Sequence, residues 1–316
     1  MATLAERIKE LGWWYQPMVY GDVKVPCKYH GDPPATYGIG KWNNYIKPLL
    51  EGIDEGDFCD MGCNAGLHLL AAREMGFNRV WGIEGDKRFY KQALLTSEYY
   101  DKDLRIINAQ LGGSFKLCNF PIVNVTLLCN FYYWVDIDAL IKYIKELACK
   151  SLYVIVVTSE SCGSSEQVKQ YFSGWELLRT VKTKDTSDGR RNLTGMLFKS
   201  NQLIRYHTED IFKAMVGQRN RDLFEKSFRG FCEQILRGEN VIIEESRVYK
   251  DLASRLGKEQ ALRRASNWSK WILDIRDNGQ KTPIQFIEHD YDGYHRIAML
   301  KYTNQKYVYG LSHVSK

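Results

Sequence analysis

Apolar and polar positions alternate with two different periods along this chain, and the switches between them outline its organisation. Leu4, Ile8 and Leu11 share one helical face, which predicts a short amphipathic helix over residues 2–12. The following stretch, GWWYQPMVYGDVKVPCKYHGDPPATYGIG, is dense in Gly, Pro and aromatic residues and predicts an ordered but irregular segment. KWNNYIKPLLEGI reads as a helix that Pro48 breaks. Then short apolar runs alternate with helical patterns. DFCDMG, RVWGIEG, LRIINA, VNVTLLCNF and SLYVIVVTSE read as strands. LHLLAAREMG, KRFYKQALLTSEYY and DIDALIKYIKELACK read as helices, the first capped by Gly76 and the last opened by Asp136. WELLRTVKTK and NLTGMLFKS look like a closing pair of strands.

Strands that alternate with helices imply a doubly wound, mostly parallel sheet covered on both faces, here from about residue 40 to 200. After Ser200 the texture changes. Residues 207–238 and 245–275 read as charged helices, followed by short strands at PIQFIEH and KYVYGLSHV around DGYHRIAMLKYT. The expected division is therefore an aromatic-rich arm over 1–40, an α/β domain over 41–200 and a smaller, largely helical α+β domain over 201–316.

Composition narrows the classes. Hydrophobic residues at 44% and charged residues at 26% are ordinary for a globular chain, so disorder throughout is excluded. A net charge of +6 permits an anionic partner without requiring one. Two basic stretches stand out, Arg179, Lys182, Lys184, Arg190 and Arg191, and Arg219, Arg221, Lys226 and Arg229; both also read as solvated faces. The 8 Cys show no CxxC pair and no metal spacing, so no metal site is expected, and reduced thiols point to a cytoplasmic setting. MATLAERIKELGWW resembles neither a signal peptide nor a membrane anchor, and no apolar run approaches spanning length.

The strongest local signal is Phe58-Cys59-Asp60-Met61-Gly62-Cys63-Asn64-Ala65-Gly66, an apolar strand that enters Gly-x-x-x-Gly and then a helix. Gly62 and Gly66 permit a tight turn and close backbone approach, and the helix start offers N–H groups to an anion. A pyrophosphate site would need Gly-x-Gly-x-x-Gly, which is missing. S-adenosylmethionine carries no pyrophosphate. Its ammonium suits Asp60, and its carboxylate suits the loop amides of Gly62, Cys63, Asn64, Ala65 and Gly66. Glu84, 24 residues past Asp60 and followed by Gly85, closes the second strand where a carboxylate can accept both ribose hydroxyls. Asn108 and Ala109 close the third strand, where an adenine amino group finds a partner. Asn130 closes the fourth, beside the expected methyl group. Ligands in such sheets sit beyond the carboxyl ends of the strands, where all four segments fall.

On these residues the chain resembles class I S-adenosylmethionine-dependent methyltransferases, in particular the group related to tRNA wobble-uridine carboxymethyl transferases. The resemblance runs over residues 41–160, through KWNNYIKPLL, DMGCNAGLHLL, RVWGIEGDKRFYKQA, NFYYWVDIDALIKYIKEL and LYVIVVTSE. It implies a Rossmann-like class I methyltransferase fold. Asp60, Gly62, Asn64 and Gly66 then form the cofactor loop, Glu84 binds ribose, and His68 matches a His found after the loop in part of that group. Family members often show Tyr-His where this chain reads Tyr132-Tyr133-Trp134, so the cofactor implied here is plain S-adenosylmethionine. Near the carboxyl end, IEESRVYKDLASRLG and DIRDNGQKTPIQFIEHDYDGYHRIAMLKYTNQKYVYG resemble the ParB/sulfiredoxin-like fold. There Asp292, Gly293, His295 and Arg296 are a candidate second phosphate site, with Gly293 turning the chain and His295 and Arg296 opening a helix.

Methyl transfer from a sulfonium needs a positioned nucleophile and excluded water. A hydroxyl acceptor also needs a base, and His68, Asn130 and Tyr133 are the candidates near the fourth strand. Trp13, Trp14 and Tyr15 either lid the pocket or anchor the arm. Three functions stay open: O-methylation of a small-molecule or glycan hydroxyl, modification of tRNA, and a regulatory protein that binds cofactor without turnover. None of them calls for a membrane.

Overall fold

The computed structural model describes residues 2–25, 27, 36–100, 102–111, 115–130, 137–159, 165–184, 192–209, 212, 228–239, 243, 246–281 and 291–311. The chain forms two compact units. The first comprises Met1–Leu117 and Val123–Asn201, and the second Cys118–Ile122 and Gln202–Lys316. The first 40 residues belong to the first unit. Among the described residues no helix is long and apolar enough to cross a membrane.

The first unit opens with α1 (Leu4–Glu10), which Thr3 and Glu6 cap reciprocally. A two-stranded hairpin follows, β1 (Met18–Tyr20) and β2 (Val23–Val25). The helical segment Thr36–Leu49 contains α2 (Thr36–Lys41), a wide π turn over Trp42–Ile46 and a last turn, α3, over Lys47–Leu49. Pro48 therefore does not break a helix in the middle, as its ring and missing N–H suggested. It sits in the final turn, behind the wide one that re-registers the backbone.

Next come the sheet strands and their helices: β3 (Phe58–Met61), α4 (Leu67–Met75), β4 (Val80–Glu84), α5 (Lys87–Tyr99), β5 (Leu104–Asn108), β6 (Val123–Cys129), α6 (Ile137–Leu147), β7 (Ser151–Ser159), α7 (Ser165–Tyr171), β8 (Trp175–Lys184) and β9 (Asn192–Ser200). They assemble one seven-stranded sheet in the order β5-β4-β3-β6-β7-β9-β8. The strands β3 to β7 run parallel, and β9 lies antiparallel between β7 and β8. The central strands β3 and β4 are buried at every position, as expected for strands covered on both faces. Gly76 ends α4 in the left-handed region (φ +107°) and donates back to Ala72 and Arg73.

The strand order reverses at β3, whose neighbours are β4 on one side and β6 on the other. This is the switch point beyond which doubly wound sheets place their ligands. The register aligns Met61 with Leu128 and with Ile83, and Glu84 with Asn108. The carboxyl ends of four strands therefore lie side by side.

The second unit has its own core of Phe212, Phe228, Phe231, Trp268, Ile272, Ile297 and Met299, among others. Its helices span Arg229–Leu236, Arg247–Leu256, Lys258–Asn278 and Tyr291–Tyr302, and one hairpin pairs β10 (Leu203–His207) with β11 (Tyr307–Leu311). Two readings of the pattern are corrected. The expected single helix over 245–275 is two, because Gly257 at φ +82° separates them. The expected helix over 207–238 starts on a strand residue, His207; Thr208, Glu209 and Phe212 are helical, and so is Arg229–Leu236, while most residues between lie outside the described ones. The strand expected at PIQFIEH and the cap expected at Asp136 lie outside the described residues.

Candidate functional site

The turn after β3 is built on three residues with positive φ: Gly62 at +82°, Asn64 at +51° and Gly66 at +87°. Glycine takes this conformation without strain, and Asn tolerates it better than other side chains. The turn is tied to its own framework. The N–H groups of Gly62 and Cys63 donate to the carbonyl of Ile83, at 2.8 and 3.1 Å, and that of Gly66 to Cys63 at 2.9 Å. Gly82 lets the loop lie this close to β4. A Cβ there would stand 2.6 Å from Leu69 Cδ1 and 2.7 Å from Cys63 Sγ.

Glu84 faces the same loop. Its Oε2 accepts the N–H of Asn64 at 2.9 Å and its Oε1 that of Asp86 at 2.8 Å, so the carboxylate clamps the loop to the end of β4. Burial raises its pKa above the ordinary carboxylate value, opposed in part by those two N–H donors. Each oxygen keeps a second lone pair for a further donor. Asn108 ties in next to it, its Nδ2 donating to the carbonyl of Glu84 at 2.8 Å while the Ala109 N–H reaches the same oxygen at 3.0 Å. Asn130, with φ +52°, is held at the end of β6 by its N–H to Val157 at 2.9 Å. Tyr133 lies outside the described residues.

Asp60 is 1% exposed at the centre of this arrangement. His68 Nδ1 approaches its Oδ2 to 3.4 Å, and the His68 ring stacks against Trp42 with centroids 6.2 Å apart. A general base must reach the acceptor, whereas His68 is 4% exposed and turned toward Asp60 and Trp42, the geometry of a positioning residue. Among the described residues, both oxygens of Asp60, Oδ1 of Asn64 and Oδ1 of Asn130 are buried without a hydrogen-bond partner, as is His68 Nε2. Buried polar atoms are nearly always satisfied, so a group of unsatisfied acceptors at one end of a sheet calls for a reason.

The amino-terminal arm contributes what the sequence pattern missed. Gln16, 8% exposed, accepts the N–H of Leu67, the first residue of α4, at 3.2 Å. The buried Gln92 on α5 holds the arm by donating to the carbonyls of Leu11 (3.2 Å) and Trp13 (2.9 Å). Trp13 meets the ring of Phe89 edge-on at 5.1 Å with the Arg88 guanidinium 4.6 Å over it, and Trp14 is 2% exposed against Tyr20. Both tryptophans anchor the arm. No local pattern marks Gln16, whose partner is 51 residues away.

The other candidates lie elsewhere. In the second unit, Asp292, Gly293, His295 and Arg296 all fall inside the helix Tyr291–Tyr302. Gly293 therefore does not turn the chain ahead of a helix, and His295 and Arg296 do not open one. Of the two basic stretches, Arg179 donates to the carbonyls of Leu49 (3.1 Å) and Glu51 (2.6 Å), which closes the end of the helical segment before β3, and Arg229 pairs with Glu233 at 2.7 Å. Arg190, Arg191, Arg219, Arg221 and Lys226 lie outside the described residues.

A parallel sheet that reverses direction at its first strand and ends in an inserted antiparallel strand has the Rossmann-like class I methyltransferase architecture. No family model and no curated protein matches the chain. Among solved structures it is similar to TehB from Haemophilus influenzae, at 14% identity and a TM-score of 0.42, over 52% of this chain and 66% of that one. It is similar also to the N-methyltransferase NodS from Bradyrhizobium japonicum WM9 in complex with S-adenosyl-L-homocysteine, at 11% identity and 0.45, over 51% and 86%. A third is the N-terminal domain of EvdMO1 with S-adenosylhomocysteine bound, at 14% and 0.46, over 63% and 98%. These likenesses are partial, and it is the strand order that defines the fold.

Proposed function

We propose that the chain is an S-adenosylmethionine-dependent methyltransferase that acts on a hydroxyl group of a small molecule or glycan. The observation that carries this reading is the set of unsatisfied buried acceptors at the switch point: both oxygens of Asp60, with Oδ1 of Asn64 and of Asn130. A ligand that suits them must be rich in donors and carry a positive charge. S-adenosylmethionine fits, with an ammonium, two ribose hydroxyls and an adenine amino group. When bound, it supplies a methyl group already activated by attachment to a sulfonium.

The chain's own residues then bind and orient. Asp60 would hold the ammonium, and Glu84 would accept the ribose hydroxyls on the lone pairs that Asn64 and Asp86 leave open. Asn108, its amide nitrogen tied to Glu84, would offer Oδ1 to the adenine edge. His68 Nδ1 stands 3.4 Å from the Asp60 carboxylate, and the His68 ring stacks on Trp42. The modest charge of +6 permits an anionic acceptor without requiring one.

Calorimetry with S-adenosylhomocysteine tests the cofactor. Asp60→Ala and Glu84→Ala are each expected to abolish binding with the circular dichroism spectrum unchanged. Unaltered affinity in both overturns the reading. Turnover of labelled methyl groups separates an enzyme from a regulator that only binds.

A further inference from the structure

The loop after β3 was expected to bind the cofactor carboxylate through its amides, but its amides are largely committed. Those of Gly62, Cys63 and Gly66 donate to backbone carbonyls, and that of Asn64 to Glu84. Releasing any of them would dismantle the turn. The Leu67 N–H, at the positive end of the nine-residue α4, is different: its acceptor is the side-chain oxygen of Gln16, an uncharged amide that a carboxylate can outcompete. The carboxylate of Asp60, in the strand that leads into this loop, and Oδ1 of Asn64 within it have no hydrogen-bond partner among the described residues. They mark it independently as the place where a zwitterionic tail is recognised.

We propose that Gln16 of the arm is the carboxylate-binding residue of the cofactor site. The inference rests on the cofactor reading above and extends it to a segment that reading leaves out. A primary amide suits the role because it carries both an acceptor and donors. Without ligand, its oxygen caps the Leu67 N–H. When an amino-acid carboxylate arrives, that N–H passes to the charged, stronger acceptor, and the amide turns so that its NH2 donates to the same carboxylate. The arm is held in place for this exchange. Gln92 grips the carbonyls of Leu11 and Trp13, Trp13 packs against both Phe89 and Arg88, and Arg7 forms a two-pronged pair with Glu98 at 2.8 and 2.6 Å. Gln16 thus reaches the loop from an anchored segment, and the ligand closes a link between arm and sheet.

Two probes distinguish the carboxylate from the rest of the ligand. S-adenosylhomocysteine has the amino-acid tail, and methylthioadenosine keeps the adenosine and sulfur without it. Gln16→Glu preserves an acceptor for Leu67 but sets a negative charge against the carboxylate. It is expected to weaken S-adenosylhomocysteine about tenfold or more in calorimetry, while methylthioadenosine changes less than about twofold. Gln16→Met keeps the side-chain length without either polar group, and is expected to weaken S-adenosylhomocysteine about fivefold with the same sparing of methylthioadenosine. In the wild type, S-adenosylhomocysteine should also protect residues 11–16 from hydrogen exchange more than methylthioadenosine does. Equal losses for both ligands, or no loss for either, in variants of normal helix content overturn the role of Gln16 alone. A wild-type chain that binds neither ligand overturns the cofactor reading and this inference with it.

Discussion

Replacing Asp60 with Asn should make the free protein more stable and useless to the cofactor. Asp60 is 1% exposed, and neither oxygen has a hydrogen-bond partner among the described residues. Its closest polar neighbour, His68 Nδ1, stands 3.4 Å away. A buried carboxylate without full compensation costs several kcal/mol, and each unsatisfied buried polar atom about 1–3 kcal/mol. The isosteric amide removes the charge, opens no cavity and can still accept from His68. After allowance for the weakened His68 contact, a net gain of about 1–2 kcal/mol follows. For a domain of this size that is a rise in midpoint of about 2–8 °C. The ligand response should run the other way. In the wild type, S-adenosylhomocysteine at about 100 times its Kd adds about 2.7 kcal/mol. In Asp60→Asn the NH2 group faces the ligand's ammonium in place of a counter-charge, and the added stability should vanish. Intrinsic tryptophan fluorescence during heating, with and without ligand, reads both effects. A variant that melts below the wild type and still responds fully to ligand would refute the reasoning.

Three further outcomes are expected. Gly82→Ala places a methyl group 2.6 Å from Leu69 and 2.7 Å from Cys63, so it should lower stability by about 1–3 kcal/mol in denaturant titration and weaken cofactor binding by displacing the loop; a neutral effect on both would show that the loop yields freely. Burial raises the Glu84 pKa, so the folded state holds this proton more tightly than the unfolded chain does: its contribution to stability is present below the ordinary value of 4.5 and lost as pH rises through the raised one, while cofactor affinity, which needs the ionised carboxylate, should fall as pH drops through that same raised value. Calorimetry across the acid range checks the affinity, and Glu84→Gln should remove the dependence. In the second unit, the Gln280 amide bonds both the carbonyl and the N–H of Tyr309, at 2.7 and 2.8 Å, so Gln280→Ala should cost about 2–4 kcal/mol in thermal or denaturant unfolding through two buried backbone groups left without their partner.

Local patterns made much of this molecule readable. Apolar runs and helical periods placed β3 to β7 and the helices α4, α5 and α6, because β3, β4, β6 and β7 are buried along nearly their whole length and α5 and α6 bury spaced apolar positions. Glu84 and Asn108 were legible as strand ends, and the register sets them side by side. Pairing between β8 and β9 was also readable, but β9's place between β7 and β8 was not, since hydrophobic pattern says which residues are buried and not which neighbour buries them. Pro48 misled because its local preference, to end a helix, was met by a wide turn just before it.

What sequence pattern cannot carry is the state of satisfaction of polar atoms. Asp60 was legible as a candidate for the ammonium, and what the structure adds is two buried oxygens without a hydrogen-bond partner among the described residues. Gln16 looked like a polar residue in an aromatic stretch. It matters because the arm folds back across a separation of 51 residues and meets the first N–H of α4 with an uncharged side-chain acceptor. Both facts appear only when donors and acceptors are matched in space, and each bears on a different end of the same zwitterion. Asp60 offers charge to an ammonium, and Leu67 with Gln16 offers N–H groups to a carboxylate. If the site recognises an amino-acid tail, substitutions at the two positions should be coupled through that tail: the combined loss for S-adenosylhomocysteine in Asp60→Asn with Gln16→Met should fall short of the sum of the single losses. Strict additivity would mean that the two residues act on the tail independently of one another.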